Sequence, residues 1–125
     1  MAFILEQSPT FNCPITIREV QDGGRLRTHQ FTAIFRRLPQ SRMEEVLVQY
    51  QAVKAAVKRD DAIEGFPTRA IADEILEGWE GITTPDGQPV EVTPSTKAQL
   101  LEVASVADAL VSTWFDVHEK ARSKN

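Results

Sequence analysis

A chain of 125 residues, 42% apolar and 26% charged, has the size and balance of a single domain with a modest core, and leaves no room for two sizeable ones. One cysteine forms neither an internal disulfide nor a thiolate zinc cluster, no stretch approaches the ~20 consecutive apolar residues of a membrane span, and residues 1–7 lack the basic start and long apolar run of a secretory leader; a reducing compartment, no membrane and no export are expected. The net charge of -4 is unevenly spread, since residues 1–59 hold nine Lys or Arg against five Asp or Glu, whereas residues 60–125 hold five against thirteen.

Residues 1–12 read as an arm or short strand, because Phe3, Ile4, Leu5 and Phe11 are apolar but poorly periodic. Residues 13–38 read as paired strands. Cys13, Ile15 and Ile17 alternate with Thr16 and Arg18, the period-two pattern of a half-buried strand, and Cys13 reads as a small apolar strand residue. Gln21-Asp22-Gly23-Gly24 then supplies a turn whose glycines accept positive φ. In the second strand Arg25, Arg27 and His29 share parity with Phe31, Ala33 and Phe35, so either a twist or bulge intervenes or the strand changes environment near His29.

Residues 40–125 read as mainly helical. Ser41 with Glu44 forms a capping-box pattern, followed by Met43, Val46, Leu47, Tyr50, Val53 and Val57 at helical spacing. A connection is expected over Arg59 to Gly65, with Pro67 in the first turn of the next helix. Ala72, Ile75, Leu76 and Trp79 form the stripe of that helix, and Gly78 and Gly81 place Trp79 at its exit. Thr84-Pro85-Asp86-Gly87 has the residues of a β-turn, and Pro89 to Val92 is short and extended. Thr93 caps a helix with Pro94 in its first position and Leu100, Leu101 and Val103 inward. Ser105 with Asp108 marks another start, and Leu110, Val111, Trp114, Phe115 and Val117 give the last helix a broad apolar face, with Lys120, Arg122 and Lys124 complementing its C-terminal dipole. The fold class expected is α+β, a small antiparallel hairpin or sheet near the N-terminus followed by about four helices.

No catalytic, cofactor-binding or metal-binding set emerges. The two histidines, His29 and His118, lack a partnered nucleophile or further ligands at metal spacing. Asp73, Glu74, Glu77 and Glu80 could be imagined as an acid and base pair but equally describe a solvated helix face, and Gly23-Gly24 lacks the Gly-x-x-x-x-Gly-Lys of a phosphate loop. Arg18, Arg25, Arg27, Arg36, Arg37 and Arg42 make a local basic stretch, but a sequence pI of 5.2 argues against nucleic acid as a partner. The charge polarity reads either as solvated faces that happen to differ or as head-to-tail association into a homo-oligomer, the basic half of one copy meeting the acidic half of the next. The residues that would carry partner or self contacts are Arg25, Arg27, Arg36, Arg37, Glu77, Trp79, Glu80 and Trp114. Each tryptophan is a core residue on its helical stripe or, if exposed, an interface anchor.

The order of parts over Ile75 to Asn125, namely Gly-Trp-Glu-Gly, the Asp86-Gly87 turn, the Thr93-Pro94 helix start, paired helices and a terminal Lys124-Asn125, behind a two-stranded segment and a helix near Ser41, resembles the small tail assembly chaperones of long, flexible-tailed bacteriophages. The resemblance covers nearly the whole chain. It implies a non-enzymatic factor, without cofactor, that binds the tape measure protein and helps recruit the major tail tube protein in the bacterial cytoplasm, and that is missing from the finished virion. A virion structural protein, such as a tail terminator or head-to-tail connector, fits the same size and self-association.

Overall fold

In the computed structural model, residues 5, 8–58 and 67–123 are described. Most of the arm expected before Ser8, the connection expected over Arg59 to Gly65, and Lys124 and Asn125 lie outside them. The fold is α+β, with a three-stranded antiparallel sheet of order β1-β2-β3 and four helices.

Strands β1 (Thr10–Val20) and β2 (Leu26–Arg36) pair without interruption from Thr10 opposite Arg36 to Val20 opposite Leu26. A single 3₁₀ turn, Asp22–Gly24, joins them, with Gly23 and Gly24 at φ of 77° and 80°. Those left-handed values are the reason for paired glycines at this turn. The unbroken register decides the ambiguity near His29: β2 keeps its parity and changes environment. Phe31, Ala33 and Phe35 are buried, whereas Arg27 on the same face is exposed, because the distal third of the hairpin projects beyond the helices.

Helix α1 (Gln40–Lys58) begins one residue before the expected cap, Ser41, and its first turn is closed by the Met43 amide donating to the Pro39 carbonyl. Ser41 therefore sits inside the helix. Helix α2 (Thr68–Ile75) starts from Pro67, which takes the cap position rather than the first turn. It stops at Ile75, and the chain continues directly into β3 (Leu76–Glu80) against β2. This overturns the reading of Leu76 and Trp79 as a helical stripe ending at an exit. The register shifts between Ile34 and Phe35, so that Phe35 faces Leu76 and Ala33 faces Trp79. The extra residue, Glu77, turns a period of two into an apparent spacing of three, and both flanking side chains point inward.

Beyond β3, Ile82 to Val90 forms a small loop. The Gly87 amide donates to the Thr84 carbonyl, the Val90 amide donates to Ile82, and Thr83 bridges Pro89. Helix α3 (Pro94–Glu102) carries the expected cap, in which the Thr96 amide donates to the Thr93 hydroxyl at 3.1 Å and the Thr93 amide to the Thr96 hydroxyl at 2.8 Å. Helix α4 (Val106–Ser123) follows a tight corner at Ser105, which has a φ of 74°.

Helices α2 and α4 cover one face of the sheet. Ile15, Ala33, Phe35, Ala72, Ile75, Leu76, Leu110, Trp114 and Phe115 are completely enclosed between them, and Cys13 joins their margin. Burial raises the Cys13 thiol pKa, as befits an apolar strand residue. Helix α1 docks on this unit through Val46 and Leu47, through Tyr50 stacked on Phe115 with ring centroids 3.8 Å apart, and through Arg42.

Candidate interaction surface

The eight residues singled out in the sequence fall into three separate places. Trp79 and Trp114 lie inside, at 6% and 0% exposure. Trp79 donates its indole N–H to the Val90 carbonyl at 3.1 Å, tying the 82–90 loop to β3. Trp114 packs edge-on to Phe115 and against His118, and its indole nitrogen has no hydrogen-bond partner among the described residues. Neither presents an anchor at the surface of this chain.

Arg36, Arg37, Glu77 and Glu80 lie along the sheet near its junction with α1. Arg36 donates from Nε to Glu77 at 2.9 Å across the bulge, with both side chains about half exposed. A cation and an anion nominated for opposite ends of an intermolecular contact are thus partners within the chain. Arg37 lies over the Phe11 ring, 5.1 Å from its centroid, and Glu80 is exposed opposite Thr32. The acidic run does not converge on a catalytic pair. Asp73 faces Lys97 at 3.5 Å, Glu74 binds Arg42, and Glu77 binds Arg36.

The Arg42 and Glu74 pair is the strongest of these contacts. Arg42 donates from Nε and Nη2 to the two Glu74 oxygens at 2.8 and 2.7 Å, a bidentate fork, and from Nη1 to Glu45 at 3.0 Å. Hydrogen bonds from Arg42 hold the Glu74 carboxyl below the usual glutamate range, against the opposing effect of its burial. The same bonds raise the Arg42 pKa. Sequence inspection grouped Arg42 with the basic stretch and missed this pair, because 32 positions separate the partners.

Arg25 and Arg27 belong to the projecting hairpin tip with Arg18. All three are exposed, and none has an ion-pair partner among the described residues. Beside them Val20 and Leu26 pair across the strands at 71% and 62% exposure. His29 meets Glu19 at 2.8 Å at the base of the tip. The tip is therefore a protruding apolar pair with a basic fringe. Its signal is present in the sequence, since Val20 and Leu26 flank the turn on the parity of exposed Thr16.

A second surface feature, of mixed polar and apolar character, runs along α1. Gln40, Met43, Glu44, Leu47, Val48 and Gln51 line a shallow groove of about 370 Å³, and Val48 is 66% exposed. Positions three and four apart lie on one helix face, so the seam follows the helix axis.

Among the described residues, no group of three or more His, Cys, Asp or Glu is placed to hold a metal, and no helix is long and apolar enough to cross a membrane. Comparison with protein-family models, with curated proteins and with solved structures finds no match for this chain.

Proposed function

We propose that this protein is a non-enzymatic tail assembly chaperone of a long, flexible-tailed bacteriophage or prophage. It would bind the tape measure protein and help recruit the major tail tube protein in the host cytoplasm, and leave before the virion is complete. The observation that carries the reading is the order of parts from the paired strands through Gly78-Trp79-Glu80-Gly81, the Asp86-Gly87 turn and the Thr93-Pro94 helix start. The α1 groove supports it, because a helical partner laid along it would bury the exposed Val48 and the half-buried Met43, with Gln40, Glu44 and Gln51 available for polar contacts. Many such weak contacts along one long partner add through effective concentration.

Co-expression with a tape measure protein from the same genome tests the reading. The tape measure protein should remain in the soluble fraction with the native chain and should aggregate without it. Val48→Glu, an exposed change that leaves the core alone, should reduce the soluble fraction several-fold. Stoichiometric recovery of the chain from purified particles would instead make it a structural component, such as a tail terminator or connector.

A further inference from the structure

Strand β1 is one of the two edges of the sheet and the longer of them. Its parity follows from the two bonds that frame the hairpin: the Arg37 amide donates to the Pro9 carbonyl at 2.9 Å, and the Gln21 amide donates to the Arg25 carbonyl at 2.6 Å. Odd-numbered residues of β1 therefore exchange bonds with β2, and even-numbered ones aim their N–H and C=O groups away from the sheet. Pro14 agrees, since a residue without an N–H fits this ladder only where that group would face outward.

This edge is not uniform. Near its start, Ser8 donates its hydroxyl to the Thr10 carbonyl, and Pro14 offers no donor. Thr16, Arg18 and Val20 are exposed and, among the described residues, their outward main-chain groups have no partner. Beside them runs a groove of about 330 Å³ between β1 and the start of α4, walled on the helix side by Ser105, Asp108, Ala109 and Ser112. These are small or short side chains, Ser105 at the corner and the other three on one face of α4, leaving room for a further strand. Arg18 and Asp108 flank the groove with opposite charges, and neither has an ion-pair partner among the described residues.

We propose that the edge from Thr16 to Val20 is a docking site for an extended segment of another protein, added antiparallel as a fourth strand. The segment carries an acidic side chain opposite Arg18, flanked two positions either way by β-branched residues opposite Thr16 and Val20. The alternate positions turn inward toward α4, where small side chains clear Ala109 and Ser112 and a cation meets Asp108. Main-chain bonds supply the attachment and the alternating side chains the selectivity. A second copy of β1 is the poorer occupant. In any antiparallel register that pairs three even positions of each strand, either Arg18 opposes Arg18 or Pro14 takes a bonding position. The proposal does not depend on the chaperone reading.

The test uses the full chain labelled with ¹⁵N and a capped synthetic peptide, Val-Ser-Glu-Lys-Thr, with a second peptide carrying lysine in place of glutamate. Saturable binding is expected below about 1 mM, with amide shifts confined to β1 and the facing turns of α4, and slowed exchange at Thr16, Arg18 and Val20. Thr16→Pro removes an outward donor in the manner Pro14 already shows the strand accepts, and should weaken binding about tenfold or more. Arg18→Glu, an exposed change, probes the same edge without touching the backbone and should weaken the first peptide while strengthening the second. Absence of saturable binding, equal binding by both variants in their folded form, or shifts centred elsewhere would overturn the proposal. A concentration-dependent dimer abolished by Thr16→Pro would also overturn it, assigning the edge to a second copy.

Discussion

Gly78 and Gly81 look equivalent in the sequence, two glycines bracketing one tryptophan, yet they do different work. Gly81 has a φ of 88° at the end of β3, and a Cβ there would meet Phe31 atoms only at ordinary distances of 3.7 and 3.8 Å. The requirement is conformational, so Gly81→Ala should cost about 1–2 kcal/mol through the left-handed backbone alone. Gly78 has ordinary strand geometry, and an added methyl would touch Val92 at 3.4 Å and Ile34 at 3.7 Å. A methyl fits under the Val92 segment, which lies over the outer side of β3, at ordinary contact distance. Gly78→Ala should therefore stay within about 0.5 kcal/mol of the native chain, in the range of neutral substitutions. Urea unfolding of the two variants measures the contrast, and equal losses would show that Gly81 is not held by its φ.

The same local view explains what the sequence disclosed of the elements and what it hid. The first hairpin was legible because Cys13, Ile15 and Ile17 alternate cleanly, and α3 because Thr93 and Pro94 form a complete start signal. Strand β3 was not, because the bulge at Glu77 spaces Leu76 and Trp79 as a helix would. Among the nominated contact residues, position along the chain could not disclose that Arg36 and Glu77 meet, since β3 returns to β2 from 41 positions away. Two predictions belong at this scale. The hairpin tip lies outside the core, so Val20→Thr with Leu26→Thr should change stability by no more than about 0.5 kcal/mol, whereas Ile15→Ala, on the same hairpin but enclosed, should cost about 2–5 kcal/mol. Helix α1, by contrast, is fastened partly by charge. Because the Glu74 pKa is lowered by Arg42 on folding, its stabilising effect is fully present above the ordinary glutamate value of about 4.3 and is lost as the pH falls through the lower folded-state value. Arg42 stays protonated throughout. The stability gap between the native chain and Glu74→Gln should thus be open at neutral pH and close in strong acid, and a gap that persists there would assign the pair no role in acid sensitivity.

At the scale of the whole molecule, folding changes the meaning of the charge polarity. The basic first half and acidic second half do not become two opposed poles, because Arg36 with Glu77 and Arg42 with Glu74 join them internally. Exposed pairs of the first kind are each worth only about 0–1 kcal/mol, but they reduce the charge that either partner can offer another copy. Among the described residues, the hairpin tip keeps Arg18, Arg25 and Arg27 without ion-pair partners around Val20 and Leu26, while Glu80, Asp86 and Glu91 are exposed elsewhere. A head-to-tail contact built on these arginines uses the tip. Sedimentation velocity separates the two groups of arginines. Arg25→Glu with Arg27→Glu should shift the species toward monomer, and so should raising the salt from about 0.05 to about 0.5 M, which shortens the screening length well below 10 Å. Arg36→Gln should leave association unchanged, since its charge is already neutralised by Glu77. Association that ignores both salt and the tip, or that collapses with Arg36→Gln alone, would place the contact on the sheet junction instead of the hairpin.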